Sequence, residues 1–583
     1  MIRHEPHRLL ALLLAAASAI VSAQPAAPER PSGWTSKQPV SARRAMIATA
    51  NPLATDAGHR ILARGGSAID AAVAAQLVLN LVEPQSSGIG GGAFIVHHQG
   101  RTGKLAAYDG RETAPAAATP ERFLGTDGKP LTFADAVVGG RSVGVPGTLR
   151  VLELAHRKHG RLPWASLFAP AIELAERGFP LSARLHGALA SEKALASDAA
   201  ARAYFYQADG RPHPVGHLLR NPEFAATLRL IAAGGADAFY RGDIARDIVA
   251  KVRAHPSNPG DMTEADLAGY QAKERAPVCG PYRAYKVCGM PLPSSGGMTV
   301  LQMLGMLERF DLSRLEPGSL FAAHLFAEAG ALAYADRGRY LADPDFVPPP
   351  PGLLDGDYLH ARGWLIRPGQ ALGRAQPGDP LTTPRQQKVA WADDASLEFP
   401  STSHLSIVDR YGNALAMTTT IEDIFGSRQM VRGFLLNNEL TDFSFAPAEG
   451  GKPVANRVEA GKRPRSSMAP TIVYDRAGRV HAVLGSPGGS AIINYVAKTL
   501  VAMLDWKLDP QRAIDLPNMG SRNFGFVELE QDTAAAALEP KLRALGHDVR
   551  VIAHTSGLQA IARTAGGWTG GADPRREGTV RGD

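Results

Sequence analysis

The sequence predicts an α/β protein in which a sheet is layered with helices and the chain before and after residue 402 contributes to one domain. Two observations lead to this prediction. Strand-like and helix-like patterns are mixed on both sides of residue 402, which is typical of a sheet covered by helices. The 583 residues are 45% hydrophobic and 20% charged, a composition that suits a large globular core and argues against disorder.

The first 23 residues have the pattern of a secretory signal. Basic residues precede an apolar run over 9–20, and Val21-Ser22-Ala23 follows before Gln24, which predicts cleavage after Ala23. The apolar run is shorter than the roughly 20 residues that a membrane span requires. We therefore expect an exported protein, periplasmic or secreted, whose mature chain starts near Gln24 and has no membrane span.

Charge and cysteine content narrow the possible partners. The formal net charge is +7, but Lys and Arg are scattered singly, which indicates a solvated surface and no nucleic-acid partner. If Arg283-Ala284 forms a two-residue hairpin turn, Cys279 and Cys288 face each other across it, and an exported protein could close that disulfide. No second Cys or His cluster and no His-Glu-x-x-His motif accompanies them, so we predict no metal and no cofactor.

The chain before residue 366 is mainly helical in pattern. Small apolar residues from 51 to 82 predict one tightly packed helix, followed by a glycine-rich stretch at 88–92 and a strand at 94–96. The glycines lack the Lys-Ser/Thr of a phosphate-binding loop, so we expect them to allow close backbone packing. Further helices are predicted at about 147–160, 164–177, 222–233 and 243–255 and from the break at 291–297 through 307. A helix containing 331–341 is also predicted, and prolines end it.

The amino-acid composition changes over 366–400, where Pro, Gln, Gly and charged residues predominate. A mobile tail upstream of a cleavage point and a plain connecting loop both explain this composition. Beyond residue 402 the pattern predicts two hairpins, 405–409 with 414–421 and 471–474 with 480–484, and helices at about 492–506 and 534–545.

Thr402 stands at the start of the first of these strands, where it could act as a hydroxyl nucleophile. A Thr hydroxyl is a poor nucleophile unless a base lies beside it, and the α-amine exposed by cutting the chain before Thr402 would be such a base. An α-amine titrates near neutrality, so the cut itself would create the base. Taken alone, the sequence around Thr402 favours an ordinary amphipathic strand. The prediction that Thr402 is a nucleophile therefore depends on motifs further downstream.

Those motifs are Leu435-Leu436-Asn437-Asn438-Glu439, Asp442-Phe443-Ser444, Arg463-Pro464-Arg465-Ser466-Ser467-Met468 and Gly485-Ser486-Pro487-Gly488-Gly489-Ser490. With the stretches 86–93, 291–297, 343–346 and 571–575, they resemble the γ-glutamyltranspeptidase family over nearly the whole mature chain. The resemblance implies the four-layer αββα fold of the N-terminal-nucleophile hydrolases. It also implies that the chain cuts itself between Ser401 and Thr402 into a large segment, 24–401, and a small segment, 402–583, which together form the one domain.

The resemblance also implies a role for each matching residue. Thr402 attacks first the Ser401 carbonyl and later the γ-glutamyl carbonyl of a donor, and Thr420 hydrogen-bonds the nucleophile. The backbone amides of Gly488 and Gly489 form the oxyanion hole.

The donor's α-carboxylate and α-ammonium require opposite charges close together. The resemblance assigns Arg111, Ser466 and Ser467 to the carboxylate side, and Glu439 and Asp442 to the ammonium side.

Two features depart from the family pattern. Glu422 stands where the well-known transpeptidases carry Asn, which adds a negative charge beside the pocket. The segment between Ser444 and Lys462 is shorter than the lid loop of some relatives and contains no Tyr, so acceptors could be handled differently and hydrolysis could outrun transfer.

The resemblance implies a γ-glutamyltransferase that also hydrolyses glutathione. Its donors would be glutathione and other γ-glutamyl compounds, and its acceptors water, amino acids or peptides. One alternative is a related acylase acting on cephalosporin side chains such as glutaryl, which lack an α-ammonium. Another is a catalytically silent secreted binding protein, although the presence of Thr402, Thr420 and the Gly488-Gly489 pair argues against silence.

Overall fold

The structure is a computed structural model that describes residues 32–380, 390–394, 396, 398–399 and 401–583. The predicted secretory signal and part of the segment 366–400 lie outside the described residues. The strands are β1 Val40–Ala42, β2 Met46–Thr49, β3 Gly92–His98, β4 Leu105–Gly110, β5 Phe179–Pro180, β6 Leu218–Leu219, β7 Lys273–Arg275, β8 Val278–Tyr282, β9 Tyr285–Gly289, β10 Thr402–Val408, β11 Ala414–Thr420, β12 Met430–Val431, β13 Phe434–Leu435, β14 Ala448–Glu449, β15 Lys452–Pro453, β16 Thr471–Tyr474, β17 Val480–Gly485, β18 Met519–Gly520, β19 Val527–Glu530, β20 Val549–Ile552, β21 Gln559–Thr564, β22 Gly567–Ala572 and β23 Thr579–Gly582.

The α-helices are α1 Pro52–Ala63, α2 Ala68–Val82, α3 Phe133–Val137, α4 Thr148–His159, α5 Ala169–Arg177, α6 Ala183–Ser191, α7 Ala199–Phe205, α8 Pro222–Gly234, α9 Asp237–Tyr240, α10 Asp243–Arg253, α11 Glu264–Gly269, α12 Gly296–Leu307, α13 Leu320–Tyr340, α14 Gly356–Gly363, α15 Ile492–Leu504, α16 Pro510–Asp515 and α17 Glu539–Ala544. Strands and helices thus occur on both sides of residue 402, as the sequence predicts.

Two seven-stranded antiparallel sheets form the centre of the described structure. The first has the order β1-β22-β21-β17-β16-β9-β8, and the second has the order β23-β2-β10-β11-β3-β4-β7. Each sheet contains strands from before and after residue 402. Because neither sheet is complete without both parts of the chain, the two parts form one folded unit.

Alternating side chains of the second sheet pack on two different layers. Ile95, Leu405 and Leu415 share a buried cluster with helices α1 and α2. Phe94 and Ala416 point the other way and share a cluster with the first sheet and with α12, α13 and α15. Successive residues of a strand point to opposite faces, so the layers run helix, sheet, sheet, helix. The predicted αββα fold is confirmed.

Most of the predicted elements are found, and two are wrong in extent. The single helix predicted over 51–82 is two helices, α1 and α2. The break falls where Gly65 adopts a φ of 88° and Ser67 caps α2 in a reciprocal capping box with Asp70, which stops one helix and starts the next. The helix predicted at 534–545 is only α17, preceded by a single 3-10 turn at Ala536–Leu538.

The two cysteines lie opposite each other on neighbouring strands. Cys279 on β8 pairs in register with Cys288 on β9, and the structure joins them in a disulfide. Arg283 in the connecting turn has a φ of 52°, the left-handed conformation that tight hairpin turns use. Among the residues that the structure describes, no helix is both long and apolar enough to cross a membrane.

Candidate active site

Thr402 and Thr420 face each other across the hairpin formed by β10 and β11. The Thr402 hydroxyl donates to Thr420 Oγ1 at 3.5 Å, and the Thr420 hydroxyl donates to the Ser401 carbonyl oxygen at 2.8 Å. The Glu422 N–H also donates to Thr420 Oγ1, at 2.8 Å. Thr420 therefore connects the hydroxyl of Thr402 to the carbonyl of the peptide bond that precedes it.

The nearest histidine along the strand is not placed to serve as a base for Thr402. His404 is fully buried, and its ring contacts the hydroxyls of Thr418 and Ser406 at 2.8 and 3.1 Å. Burial lowers the pKa of His404 to about 3, because a low-dielectric environment disfavours the imidazolium. The residues that line the cavity beside Thr402 include no His or Lys.

The cavity beside Thr402 brings nearly all of the predicted site residues together. It is lined by Arg111, Glu398, Phe399, Thr402, Thr420, Glu422, Glu439, Asp442, Ser466, Ser467, Met468, Gly489 and Ile492. Its volume is about 20 Å³, room for roughly one water molecule. Of the predicted set, Ser401 and Gly488 do not line it: the Ser401 hydroxyl donates to the Gln85 carbonyl.

Gly488 and Gly489 form the turn between β17 and α15. Their φ angles are 138° and 54°, which glycine adopts without the steric cost that other residues incur. A Cβ on Gly489 would come within 2.8 Å of the backbone of residues 398 and 399. Gly489 therefore lies directly against the chain upstream of Thr402.

One end of the cavity is acidic, with a single arginine among the carboxylates. Arg111 is 1% exposed and forms ion pairs with Glu439 and Asp442. Its guanidinium also donates to the carbonyls of Pro464 and Arg465 at 3.1 and 2.9 Å. Burial raises the pKa of both carboxyl groups well above their usual range, although Arg111 opposes the shift. Arg111, predicted to bind the donor's carboxylate, is thus paired with Glu439 and Asp442, which are predicted to bind its ammonium.

Glu422 adds a third carboxyl group at the acidic end. It has a φ of 77°, and its carboxylate accepts hydrogen bonds from Asn438, from Thr441 at 3.3 Å and from the Phe399 N–H at 3.3 Å. Burial, followed by repulsion from Asp442, raises the pKa of Glu422 well above its usual range. An entering cation would relieve that repulsion and favour the ionised carboxylates.

The other end of the cavity already holds a carboxylate, supplied by the chain itself. Glu398, four residues before Thr402, forms an ion pair with Arg337 and accepts a hydrogen bond from the Ser467 hydroxyl. Arg465 Nε lies 3.5 Å from the same carboxylate, and Arg337 Nη2 donates to Ser467 Oγ at 2.7 Å. These contacts define a carboxylate subsite, and Glu398 lines the same cavity as Glu439 and Asp442.

Sequence reasoning missed Glu398, Arg337 and Arg465. Arg337 lies within α13, and Arg465 lies in the Arg463–Met468 motif. Glu398 lies in the segment 366–400, whose composition fits a tail or a loop. No local pattern connects three residues so far apart in the chain. The one usable signal was Arg465, which stands directly before the predicted pair Ser466 and Ser467.

A second, larger cavity borders the first and shares one wall with it. Its volume is about 550 Å³, and Phe399 lines both cavities. The Phe399 ring packs against Phe133 with centroids 4.0 Å apart. The segment between Ser444 and Lys462 contributes Phe445 and Glu449 to the larger cavity.

Comparison with known proteins places this geometry in a family. The family model for gamma-glutamyltranspeptidase matches residues 54–582. A glutathione hydrolase proenzyme of Bacillus subtilis (strain 168) is 39% identical over 548 residues, covering 92% of this chain and 91% of the relative. An acylase ACY 1 proenzyme of Pseudomonas sp. (strain SE83) is 36% identical over 555 residues, covering 93% and 94%. Among solved structures, a cephalosporin acylase from Bacillus halodurans superimposes with a TM-score of 0.82 at 27% identity, covering 94% of this chain and 97% of that one.

Proposed function

Because the chain belongs to the γ-glutamyltranspeptidase family, an enzyme family of hydrolases and transferases, we propose that it is a γ-glutamyltransferase that also hydrolyses glutathione. The precursor cuts itself between Ser401 and Thr402, and the exposed Thr402 then carries the γ-glutamyl group as an ester. Water, an amino acid or a peptide receives the group. The observation that carries the proposal is the position of the Thr420 hydroxyl between the Thr402 hydroxyl and the Ser401 carbonyl.

The first step is an intramolecular acyl shift. Thr402 Oγ1 attacks the Ser401 carbonyl carbon, the peptide bond to the Thr402 nitrogen breaks, and the hydroxyl proton passes to that nitrogen. Water then hydrolyses the ester, which leaves a carboxylate on Ser401 and an amine on Thr402. The hydrogen bond from Thr420 withdraws electron density from the carbonyl under attack and stabilises the developing oxyanion.

The same residues then act on the donor. The Thr402 α-amine accepts the hydroxyl proton as Thr402 attacks the γ-glutamyl carbonyl, and it returns a proton to the departing amine. Two backbone amides at Gly488 and Gly489 stabilise the tetrahedral intermediate. Water or an amine acceptor finally attacks the Thr402 ester and releases the γ-glutamyl group.

Recognition of the donor follows from the two charged ends of the cavity. Glu398 acts as an internal substitute for the donor's carboxylate, and its departure after cleavage frees Ser467 for that carboxylate. Ser466 and Arg111 line the same space, and Arg337 orients Ser467 by donating to its Oγ. At the acidic end the carboxyl groups outnumber the single guanidinium of Arg111, which favours an ammonium group there. A zwitterionic α-amino acid end matches this arrangement.

Release of the tail also opens the site. Phe399 separates the small cavity from the larger one, so its departure joins the two spaces. The larger cavity then receives the leaving group and the acceptor, with the segment between Ser444 and Lys462 at its border. The leader over 1–23 directs the protein to the periplasm or the medium, where extracellular γ-glutamyl compounds are the substrates.

The acylase alternative is supported by two of the relatives, the Pseudomonas acylase and the Bacillus halodurans cephalosporin acylase. A glutaryl donor carries a carboxylate for Ser467 but no ammonium for Glu439 and Asp442. The acidic end would then hold more buried carboxyl groups than the single guanidinium of Arg111 can pair, which is unfavourable. We therefore propose the acylase activity only as the second candidate function, after the γ-glutamyltransferase.

Thr420→Val tests the proposed role of the Thr420 hydroxyl. Valine keeps the shape of the side chain but removes the donor to the Ser401 carbonyl, so we expect cleavage to slow by about 100-fold or more. Thr420→Ser should cleave at a rate close to that of the parent chain. Thr419→Val is the matched control, because the Thr419 hydroxyl bonds the Gly92 carbonyl instead. A denaturing gel of samples taken over time measures the rate, and equal rates for Thr420→Val and Thr419→Val would contradict the proposal.

Glu398→Gln tests the proposal that the tail occupies the carboxylate subsite. In a chain that cannot cleave, neutralising Glu398 leaves Arg337 buried without its carboxylate partner, so we expect the free energy of unfolding to fall by about 3 kcal/mol. In the cleaved enzyme kcat/KM should be unchanged, because the tail has left. Asp393→Asn is the control in the same segment: its ion pair with Arg339 is partly exposed and should contribute less than about 1 kcal/mol. An unchanged stability of the uncleaved chain would show that Glu398 does not occupy the subsite.

A further inference from the structure

A buried cluster of His324, Glu328 and His547 lies outside the active site. His324 and Glu328 are four residues apart on α13, so they share one face of the helix. His547 follows α17, in the turn before β20. The exposures of the three residues are 0%, 2% and 8%, and their ligand-type atoms lie within 4.8 Å of one another.

The hydrogen bonds around the cluster orient its side chains inward. His324 Nε2 lies 2.8 Å from the Arg367 carbonyl oxygen, so this nitrogen is the donor and Nδ1 carries a lone pair. Nδ1 points to His547 Nε2 at 2.7 Å. The Leu372 N–H donates to Glu328 Oε2 at 3.0 Å, which leaves Oε1 directed at the imidazoles. A histidine whose outer nitrogen donates to a backbone carbonyl is the usual arrangement of a metal ligand.

The cluster has a buried carboxylate that, in the part of the chain that the structure describes, has no Lys or Arg counter-ion. Among the described residues, the basic group at ion-pair distance from Glu328 is His547, whose Nδ1 is 3.8 Å from Oε1. If His547 Nε2–H donates a hydrogen bond to His324 Nδ1, the neutral His547 ring turns the lone pair of Nδ1 towards that carboxylate. Two acceptors then face each other in a buried space, which is unfavourable unless a proton or a metal cation lies between them.

We propose that His324, Glu328 and His547 bind a divalent transition-metal ion of the zinc type. Two imidazoles and one carboxylate form a ligand set that zinc uses in proteins. A tetrahedral site separates ligand atoms by about 3.3 Å, which small side-chain rotations can achieve here. A fourth position remains for water or a small anion.

The proposed metal would connect the two parts of the chain. His324 and Glu328 precede residue 402, and His547 follows it, so the ion would hold the two segments together after cleavage. That consequence rests on the proposed self-cleavage, whereas metal binding itself does not. The cluster also fixes the loop containing Arg367 and Leu372, which belongs to the region upstream of the cleavage point.

Zinc binding to the purified mature chain tests the proposal. The protein is stripped with a chelator, titrated with Zn²⁺ alone and analysed by calorimetry and by elemental analysis after gel filtration. We expect one zinc per chain, in the cleaved enzyme and in Thr402→Ala alike, so that a failure of self-cleavage does not affect the result. Zinc should also raise the urea concentration at which the two segments of the cleaved enzyme separate.

Glu328→Gln and His547→Ala should each weaken zinc binding by about 100-fold or more. Glu328→Gln keeps the size of the side chain and gives the decisive result if His547→Ala fails to fold. His481→Ala is the matched control, because His481 lies half-buried on β17 against Tyr285, away from the cluster, and it should bind zinc as the parent does. Less than one-tenth of an equivalent of zinc in the parent, or equal affinity in Glu328→Gln, would overturn the proposal.

Discussion

Replacing Thr402 with alanine is expected to leave the chain whole and to abolish amide hydrolysis and transfer. The variant loses the only atom that can attack the Ser401 carbonyl in the proposed shift, and without the cut no α-amine forms. Removing a nucleophile of this type costs about 10⁴-fold or more in kcat. The purified variant should therefore run as one band on a denaturing gel and release no p-nitroaniline from γ-glutamyl-p-nitroanilide.

Two controls accompany this variant. Thr402→Ser retains a hydroxyl and should still cleave, giving a small segment that begins with serine. Ser403→Ala removes the neighbouring hydroxyl, which bonds Glu83 at 2.7 Å on the other face of β10, and should leave the cut in place. Two bands from Thr402→Ala, with a new N-terminus at residue 402, would show that another agent cuts the chain.

The central hairpin could be predicted from the sequence because its signals are local. Alternation of apolar residues over 405–409 and 414–421 predicts two strands, and the short link between them predicts their antiparallel pairing. That pairing places Thr402 opposite Thr420 without any information from the rest of the chain. The break between α1 and α2 was missed because small apolar residues continue on both sides of Gly65, so the helical pattern does not show where one helix stops.

The charged ends of the cavity could be predicted only in part. Glu439 and Asp442 belong to one short motif, and the resemblance assigns them to one site. Their ion pairs with Arg111 depend on the approach of β4 and the loop after β13, which no local pattern encodes. The carboxylate subsite depends on α13, on the chain before Thr402 and on the Arg463–Met468 motif, so only the folded structure brings Arg337 to Ser467 and Glu398.

The two ends of the cavity make separable contributions to selectivity. A γ-glutamyl donor has both a carboxylate and an ammonium, whereas a glutaryl donor has only the carboxylate.

At the acidic end, burial raises the pKa values of Glu439 and Asp442, so these groups bind protons more readily in the empty site than in water. An ammonium favours their ionised forms and releases those protons, and binding of the γ-glutamyl donor should therefore strengthen as pH rises. The glutaryl donor should show no such dependence.

Asp442→Asn should therefore collapse the preference for γ-glutamyl donors. We expect the parent enzyme to favour γ-glutamyl-p-nitroanilide over glutaryl-p-nitroanilide by roughly 10³-fold or more in kcat/KM, because a site built for a polar group rejects an analogue that lacks it. Asp442→Asn removes the partner of the ammonium, so it should lower kcat/KM for the γ-glutamyl donor and leave the glutaryl value nearly unchanged. The ratio of the two values measures the effect directly.

Ser467→Ala is the matched variant at the opposite end of the cavity. Both donors place a carboxylate there, so the loss of one hydrogen bond to a charged group should lower both kcat/KM values by about 10-fold or more and preserve their ratio. The measurements use the cleaved fraction of each variant, with active sites counted by titration, so that slow maturation does not imitate slow catalysis. A parent enzyme that prefers the glutaryl donor would favour the acylase hypothesis. Equal losses on both donors from Asp442→Asn would mean that the acidic end does not bind the ammonium, because a group that contacts only the ammonium cannot affect a donor that lacks one.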